Sequence, residues 1–518
     1  MGFYEKARQP RPSIHDPSVR PLRLAFLKGA AVNLLLLQIL FLGLFCYLFG
    51  SLFQQTTHIH NIDILFVDYD GGAIGAAVRD AYQQLKRPGF PTLFERSSLT
   101  YPEPRTIKNA VCDIKFWGGF YTTANASNRL SAAFAGGSDA SSYNKTNVLT
   151  VVWNEARYST VVDSAIYQNM KELSEATRVI YSQTAAPQAI KSLNSSDSAA
   201  VSAFSDPWTL TSVDFQPTTQ GSRLIYNTLC IILILIQEFF YLAIVNGLYL
   251  QFKLYTTVTP HRVAIVRQII SGVYTFVGSL CVTGAIWAFR AGWHVGGSQY
   301  VITWMILWLF AHLNFLVLDV FTIWVPPAFV PMIFITWVVL NVTSILLPFE
   351  LSPGFYKWGY ALPAHSVFNV LMDIWSRGCN PQLYYALPVL FVYEILGLVL
   401  STIGVYRRSH YAVLKQEMDE KALQDRISAA IAEQTEDSLT REEMSQETPT
   451  SQASDMEQET RASIRRRATI TAIEDQDELA HMIRREMSRP GLEKIMSSRE
   501  NAGPCFDLPF NTSMPKSD

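Results

Sequence analysis

Six long apolar runs constrain this chain more than any other feature. The one the rest hangs from, LIYNTLCIILILIQEFFYLAIVNGLYL at 224–250, begins directly after Arg223. Four more follow, near 264–289, 299–320, 327–347 and 383–405, and one precedes it at 30–53. Each supplies about 20 apolar residues, the length a helix needs to cross about 30 Å of hydrocarbon. Backbone polar groups in that medium must be satisfied within the segment, so helices are expected. The fold class that follows is an α-helical polytopic membrane protein with six transmembrane helices. An external α/β domain and a mostly disordered cytosolic tail are expected to complete it.

Composition matters here through its distribution. The 518 residues are 49% hydrophobic and 17% charged with a net charge of −2, averages a soluble protein could share. The charges, however, gather before 30, within 54–222 and after 406. The near-neutral balance argues against nucleic acid as a partner. No GxxxxGK[ST] loop occurs, so the chain carries no P-loop ATPase of its own. No nucleophile elbow, HExxH or CxxC pair occurs either, so no catalytic residue and no cofactor are assigned.

Five regions result: a basic cytosolic N-terminus (1–29), transmembrane helix 1 (30–53), an external domain (54–222), a membrane domain with helices 2–6 (223–406) and a cytosolic tail (407–518). Lys6, Arg8, Arg11, Arg20, Arg23 and Lys28 precede the first run, which exceeds a secretory h-region and lacks a clear cleavage site. It reads as a retained anchor, with cleavage as the alternative. Myristoylation is unsupported, since neither Ser nor Thr stands at position 6. Lys253 and Arg262 in the 251–263 loop, and Arg407-Arg408 after the last run, agree with both termini in the cytosol. Sequons at Asn125, Asn144 and Asn194 then fall on the external side as glycosylation candidates, whereas those at Asn341 and Asn511 fall in a helix and in the tail.

Within 54–222, IDILFVDYD, CDIKFWGGFYT and VLTVVW read as strands, and 73–85, ASNRLSAAFA and 159–184 as helices, an α/β alternation. The segment 185–205 reads as a linker. VDYD with His58 and His60 nearby raises a metal site, but turn chemistry at Asp70-Gly71 explains it better, and no metal ligand is assigned. Before the last run, Phe355, Tyr356, Trp358 and Tyr360 suit the membrane interface, and Val367, Leu371 and Trp375 predict a short helix lying on it. In the tail, Leu414, Met418, Ala422, Leu423, Ile427 and Ile431 form one stripe of helical period. Ser463 and Thr469 stand beside basic runs that a kinase could read.

The layout of anchor, external domain and five further helices resembles the membrane subunits of type-two ABC exporters. Four pieces, VDYDGGAIG, WGGFYTTANASNRLSAAFAGG, SVDFQPTTQGSRLIY and FYKWGYALPAHSVFNVLMDI, follow in that order. With them the chain resembles the phage-infection-protein branch more closely, and most closely the fungal nitrosoguanidine-resistance family of membrane proteins, over about 30–408. The resemblance implies a fungal source, a role in drug or stress resistance, and a link to lipid asymmetry or efflux. It carries over no catalytic residue.

Glu238 in helix 2 and Glu394 in helix 6 are the candidate intramembrane polar site, with His312 and Asn314 of helix 4. A mid-membrane carboxylate costs about 2.5–3.5 kcal/mol on insertion scales, so it faces a partner or water. The alternative is a protonated acid hydrogen-bonded to a neighbouring helix. Asp319 is expected to be solvated near the cytosolic end. Cys46, Cys230 and Cys281 read as packing residues and Cys505 as a reduced cytosolic thiol. Cys112 and Cys379 alone are expected on the oxidising face, either as a disulfide or as two buried thiols. Transport of amphipathic molecules or lipids is the function expected, driven by a separate ATPase or an ion gradient. A scaffold or regulator of lipid asymmetry or of other transporters is the alternative. The partners are the lipid bilayer, other membrane proteins, that ATPase, which the 251–263 loop would dock, or a second copy of the chain in a homodimer. The expected location is the plasma membrane, with the endoplasmic reticulum as the alternative.

Overall fold

The computed structural model describes residues 13, 15–217, 225–290 and 293–446. Lys6, Arg8, Arg11, Arg223, Ser463, Thr469, Cys505 and Asn511 lie outside the described residues. The described residues are mostly helical, and among them are six helices long and apolar enough to cross a membrane.

The first of them, α1 (Arg20–Ser51), has a proline in its opening turn, where a missing N–H costs nothing. Leu34, Leu35, Phe45 and Phe49 on it are exposed, a surface that only an apolar solvent can cover. Its far end is held by Tyr356, whose hydroxyl donates to Tyr47 O (2.8 Å).

An α/β domain follows, built from β1 (Asp63–Asp68), α2 (Ala73–Leu85), β2 (Thr92–Arg96), α3 (Pro104–Cys112), β3 (Gly118–Thr122), α4 (Ala126–Phe134), β4 (Leu149–Trp153), α5 (Asn169–Thr184) and β5 (Thr211–Asp214). The sheet order is β2-β1-β3-β4-β5, parallel except where β3 meets β4. Both faces are covered, so the inner strands are buried throughout instead of alternating. Leu65 and Val67 pack against Ile107 and Val111 of α3. Gly119 lets α3 come this close, since a Cβ there would stand 2.4 Å from Ile107 Cγ2. On the opposite face, Ile64 and Ile166 crowd Gly118 in the same way.

Two expectations for this domain need correction. The helix expected over 159–184 contains a π segment, Asp163–Gln168, before α5. The linker expected at 185–205 holds two short helices, Ala186–Ser192 and Ser198–Ser205. Asp197 caps the second by accepting from Ala199 N, and the buried Ala200 and Ala203 let it dock closely.

At the end of β1, Asp68 Oδ1 accepts from the Asp70 and Gly71 amides and the Thr122 hydroxyl, and Oδ2 meets Arg79 at 2.8 Å. Burial pushes the Asp68 carboxyl up, but these bonds and Arg79 outweigh it and leave it below the usual range. Asp70 in turn accepts from Ser127 N (2.8 Å). Both carboxylates are thus engaged in turn and inter-element hydrogen bonds.

The membrane helices are α6 (Cys230–Gln251), α7 (Pro260–Ala288), α8 (Gly297–Trp324) and α9 (Val330–Leu346), then, after α10 (Pro363–Trp375), α11 (Leu383–Gln446). α10 is the short helix expected to lie on the membrane surface. Eleven of its thirteen residues are buried, so it is a core element and not a surface one. Trp375 Nε1 donates to Thr303 Oγ1 of α8 (3.1 Å), and Asn341 Oδ1 of α9 accepts from Ala364 N (3.1 Å). His365 donates to Ser344 O (2.9 Å), and burial holds it neutral, its pKa down to about 4.

Pro260 opens α7, where its missing N–H costs nothing. Two further expectations change. α11 runs unbroken from the last apolar run through Gln446, so the described part of the tail is helical beyond the apolar stripe as well. Asp319, expected to be solvated, is fully buried on α8.

The described residues form two compact units, one of residues up to Phe239 with Ile270–Leu398, the other of Phe240–Ile269 with the residues from Val399. In the second, Arg267 donates to Asn246 Oδ1 (2.7 Å) and lies over the Tyr249 ring (5.3 Å), while Ser409 Oγ donates to Tyr255 O (2.6 Å).

Candidate functional site

Within the first unit, α8, α10 and the start of α11 enclose a cleft of about 940 Å³. Its walls are Ile302, Met305, Leu309, Leu383, Leu387 and Phe391. Gln299, Asp373 and Arg377 stand at one end, His312 and Glu394 at the other. The rise from Ser298 to His312 is about 21 Å and from Leu383 to Glu394 about 16 Å. The second is close to half of an about 30 Å hydrocarbon core and the first about two thirds of it, so the cleft is at least about one leaflet deep.

At the deep end the side chains are linked. His312 Nδ1 lies 2.6 Å from Glu394 Oε1, and its Nε2 lies 3.2 Å from Ser271 Oγ on α7. Tryptophans lock α8 to α7 beside them: Trp308 Nε1 donates to Gly272 O (3.1 Å) and Trp304 Nε1 to Phe276 O (3.0 Å). Glu394 Oε2 is buried without a hydrogen-bond partner among the described residues. At the shallow end, Arg377 sits at φ 57° and Gly378 at φ 90°, a left-handed turn that ends α10. Arg377 Nη2 donates to His294 O (3.2 Å), and Asp373 Oδ1 accepts from Asn380 N (3.1 Å). Burial raises the Asp373 carboxyl above its ordinary value.

Of the four residues expected to share a polar path, the structure brings two together. Asn314 spends both amide groups on packing: Oδ1 accepts from Trp337 Nε1 (3.0 Å) and Nδ2 donates to Phe310 O (2.7 Å). Glu238 is buried on α6 and does not line the cleft; its Oε2 also lacks a partner among the described residues. Ser271, Asp373 and Arg377 escaped the sequence reading. Counting depth along each helix would have paired His312 with Glu394, but nothing in the sequence placed Ser271 on the facing side.

Next to the cleft, the α/β domain meets α10. Cys112 of α3 is joined to Cys379 by a disulfide, with Cα atoms 4.2 Å apart. Asn154 Nδ2 donates to Cys379 O (3.0 Å), and the Tyr158 ring packs on Phe368 of α10 at 4.8 Å. Arg157 is buried here, donating to Val111 O (3.3 Å) over the Trp117 ring (5.6 Å); burial lowers its pKa to about 10. Of the other cysteines, Cys230 is buried as expected of a packing residue, whereas Cys46 and Cys281 are exposed. Asn125, Asn144 and Asn194 are all exposed on the α/β domain, while Asn341 is buried and bonded to Trp337 O.

Among the described residues, six membrane-length helices with an α/β domain inserted after the first define a multi-pass membrane protein. The chain belongs to the family described as Protein of unknown function (DUF3533), whose model matches residues 33–399. That span contains the whole cleft and both bridged cysteines. The chain is also similar to an uncharacterized endoplasmic reticulum membrane protein of Saccharomyces cerevisiae, 21% identical over 392 residues, 69% of this chain and 76% of that protein. No solved structure matches it.

Proposed function

We propose that this chain binds amphipathic molecules or lipids in the cleft between α8, α10 and α11 and moves them across or out of the membrane. The observation that carries this reading is the cleft itself, at least about one leaflet deep, apolar along its walls and polar at both ends. The resemblance to the nitrosoguanidine-resistance family and to exporter membrane subunits points the same way, toward drug or stress resistance. Energy would come from a separate ATPase or from an ion gradient through the His312–Glu394 pair. We read the site as non-enzymatic. Ser271, His312 and Glu394 stand in the order of an acyl-transfer triad, yet Ser271 is fully buried and does not line the cleft. Both termini are assigned to the cytosol and the α/β domain to the opposite side. The yeast relative's description favours the endoplasmic reticulum over the plasma membrane.

Purified full-length protein in liposomes tests the reading. Fluorescent lipid scrambling or dye efflux should exceed that of empty liposomes by about tenfold, and Leu387→Trp, which fills the cleft, should remove most of the gain. Rates equal to empty liposomes, both with and without an imposed proton gradient, would overturn transport by the chain on its own. A second reading, scaffold or regulator, draws on the α/β domain bridged to the membrane part by Cys112–Cys379. It requires a stable membrane-protein partner in native membranes and no transport by the isolated chain.

A further inference from the structure

The geometry points to the chemical class this cleft selects: a cationic amphipath, with an ammonium group held at Glu394 and His312 and an apolar body along Ile302, Met305, Leu387 and Phe391. This rests on the reading of the cleft as an amphipath site and adds the sign of the charge. Two carboxyl groups, Asp373 and Glu394, line it against one guanidinium, Arg377, and one imidazole, His312, among the described residues. The guanidinium stands at the shallow end, drawn to the rim by its bond to His294 O. The deep end holds a carboxylate and an imidazole alone. An ion reaches mid-membrane depth cheaply only where a counter-charge waits, and in low dielectric the preference for one sign is steep.

A second observation concerns hydrogen bonding. Glu394 spends Oε1 on His312, while Oε2 is buried with no partner among the described residues. A buried acceptor left unsatisfied is costly, and an ammonium N–H supplies the missing donor. A sulfate or carboxylate head would meet the same oxygen with repulsion. An alcohol could donate but would gain no Coulomb term. The cleft depth, about 16–21 Å, limits the body to between about half and two thirds of the hydrocarbon core.

The test uses three photoreactive probes of equal chain length, an alkylammonium, an alkyl sulfate and an alkyl alcohol, each with a diazirine on the chain. Full-length protein in phosphatidylcholine nanodiscs is irradiated at pH 7, and adducts are mapped by mass spectrometry. Label on 297–312 and 383–394 is divided by label on the lipid-exposed face of α1, which corrects for partitioning. The ammonium ratio should exceed the sulfate ratio at least about fivefold in the wild type, and Glu394→Gln should bring it to within about twofold of the alcohol ratio. Glu394→Asp should keep the preference, and an intact Cys112–Cys379 bridge identifies folded variants. Equal ammonium and sulfate ratios in the wild type would overturn the inference while saturable alcohol labelling of the cleft upholds the amphipath site. Cleft labelling that fails to saturate with any of the three probes would overturn both.

Discussion

At the scale of single residues, the tightest constraint is Gly119. A methyl group there would stand 2.4 Å from Ile107 Cγ2, in a face already closed by Val111 and Val152. Gly119→Ala should therefore cost about 1–3 kcal/mol as an overpacking substitution, read as a lower thermal midpoint of the α/β domain. An unchanged midpoint would mean α3 can retreat. Asp214 offers a pH-dependent test. Burial pushes its carboxyl up to about 7, against the amides of Gln216 and Phe215. An acid raised on folding contributes its full stability below the unfolded value, about 3.9, and loses it as pH rises through about 7. Asp214→Asn keeps an acceptor for the Glu155 and Gln216 amides and cannot ionise. Its melting temperature should exceed wild type by about 2–4 °C at pH 8 and match it at pH 4; a gain that is the same at both pH values would count against the titration.

At the scale of elements, the membrane helices were legible because length and apolar content decide them. The first run, 30–53, lies almost wholly in α1, and the other five fall on α6 to α9 and α11. β2 and β5 were not legible. They are short and partly exposed, and edge strands such as TLFER and TSVD carry little pattern. Nothing in the sequence marked the seam Asn154–Tyr158 after VLTVVW, and only its long-range contacts make it an interface. α10 was found, but its three aromatic and aliphatic anchors suggested one buried face; polar residues such as Asn369 are also enclosed, through bonds to His365 O and the Tyr385 hydroxyl. The polar pair was half visible, since both members sit midway along their apolar runs, while helix rotation, which turned Asn314 toward Trp337, was not.

The connection from α6 to α7 carries its own prediction. Its short helix, Leu254–Thr257, and the opening of α7 leave Thr257, His261 and Arg262 exposed. We expect this segment to dock a soluble partner, the place an ATPase would occupy. Crosslinkers at Thr257 or His261 should capture a discrete protein in native membranes, and capture of none would argue for a basic loop that merely marks orientation.

At the scale of the whole molecule, orientation and cross-linking can each be measured. With the α/β domain on the luminal or extracellular side, endoglycosidase should shift the protein's mobility. Replacing Asn125, Asn144 and Asn194 together with Gln should abolish that shift; glycan surviving in the triple variant would reverse the topology. The disulfide closes a sequence separation of 267 residues, for which the chain-entropy model gives about 4–5 kcal/mol. Cys112→Ser with Cys379→Ser should lower the thermal midpoint by about 8–20 °C. An unchanged midpoint would mean that the Asn154 and Tyr158 contacts hold the seam alone.

The same separation has a consequence in time. A ribosome that has just placed Cys112 must add 267 more residues before Cys379 exists, roughly 13–50 s at about 5–20 residues per second. Through that interval the α/β domain waits with an open thiol while α6 to α10 are threaded and packed. The bond can form only when Cys379 is brought to the domain by a finished α10, so oxidation records that the chain has packed as far as α10, with α11 still to come. With the α/β domain on the oxidising side, a chain stopped anywhere before residue 379 would keep its thiol available for exchange with resident oxidoreductases, a covalent handle on unfinished copies.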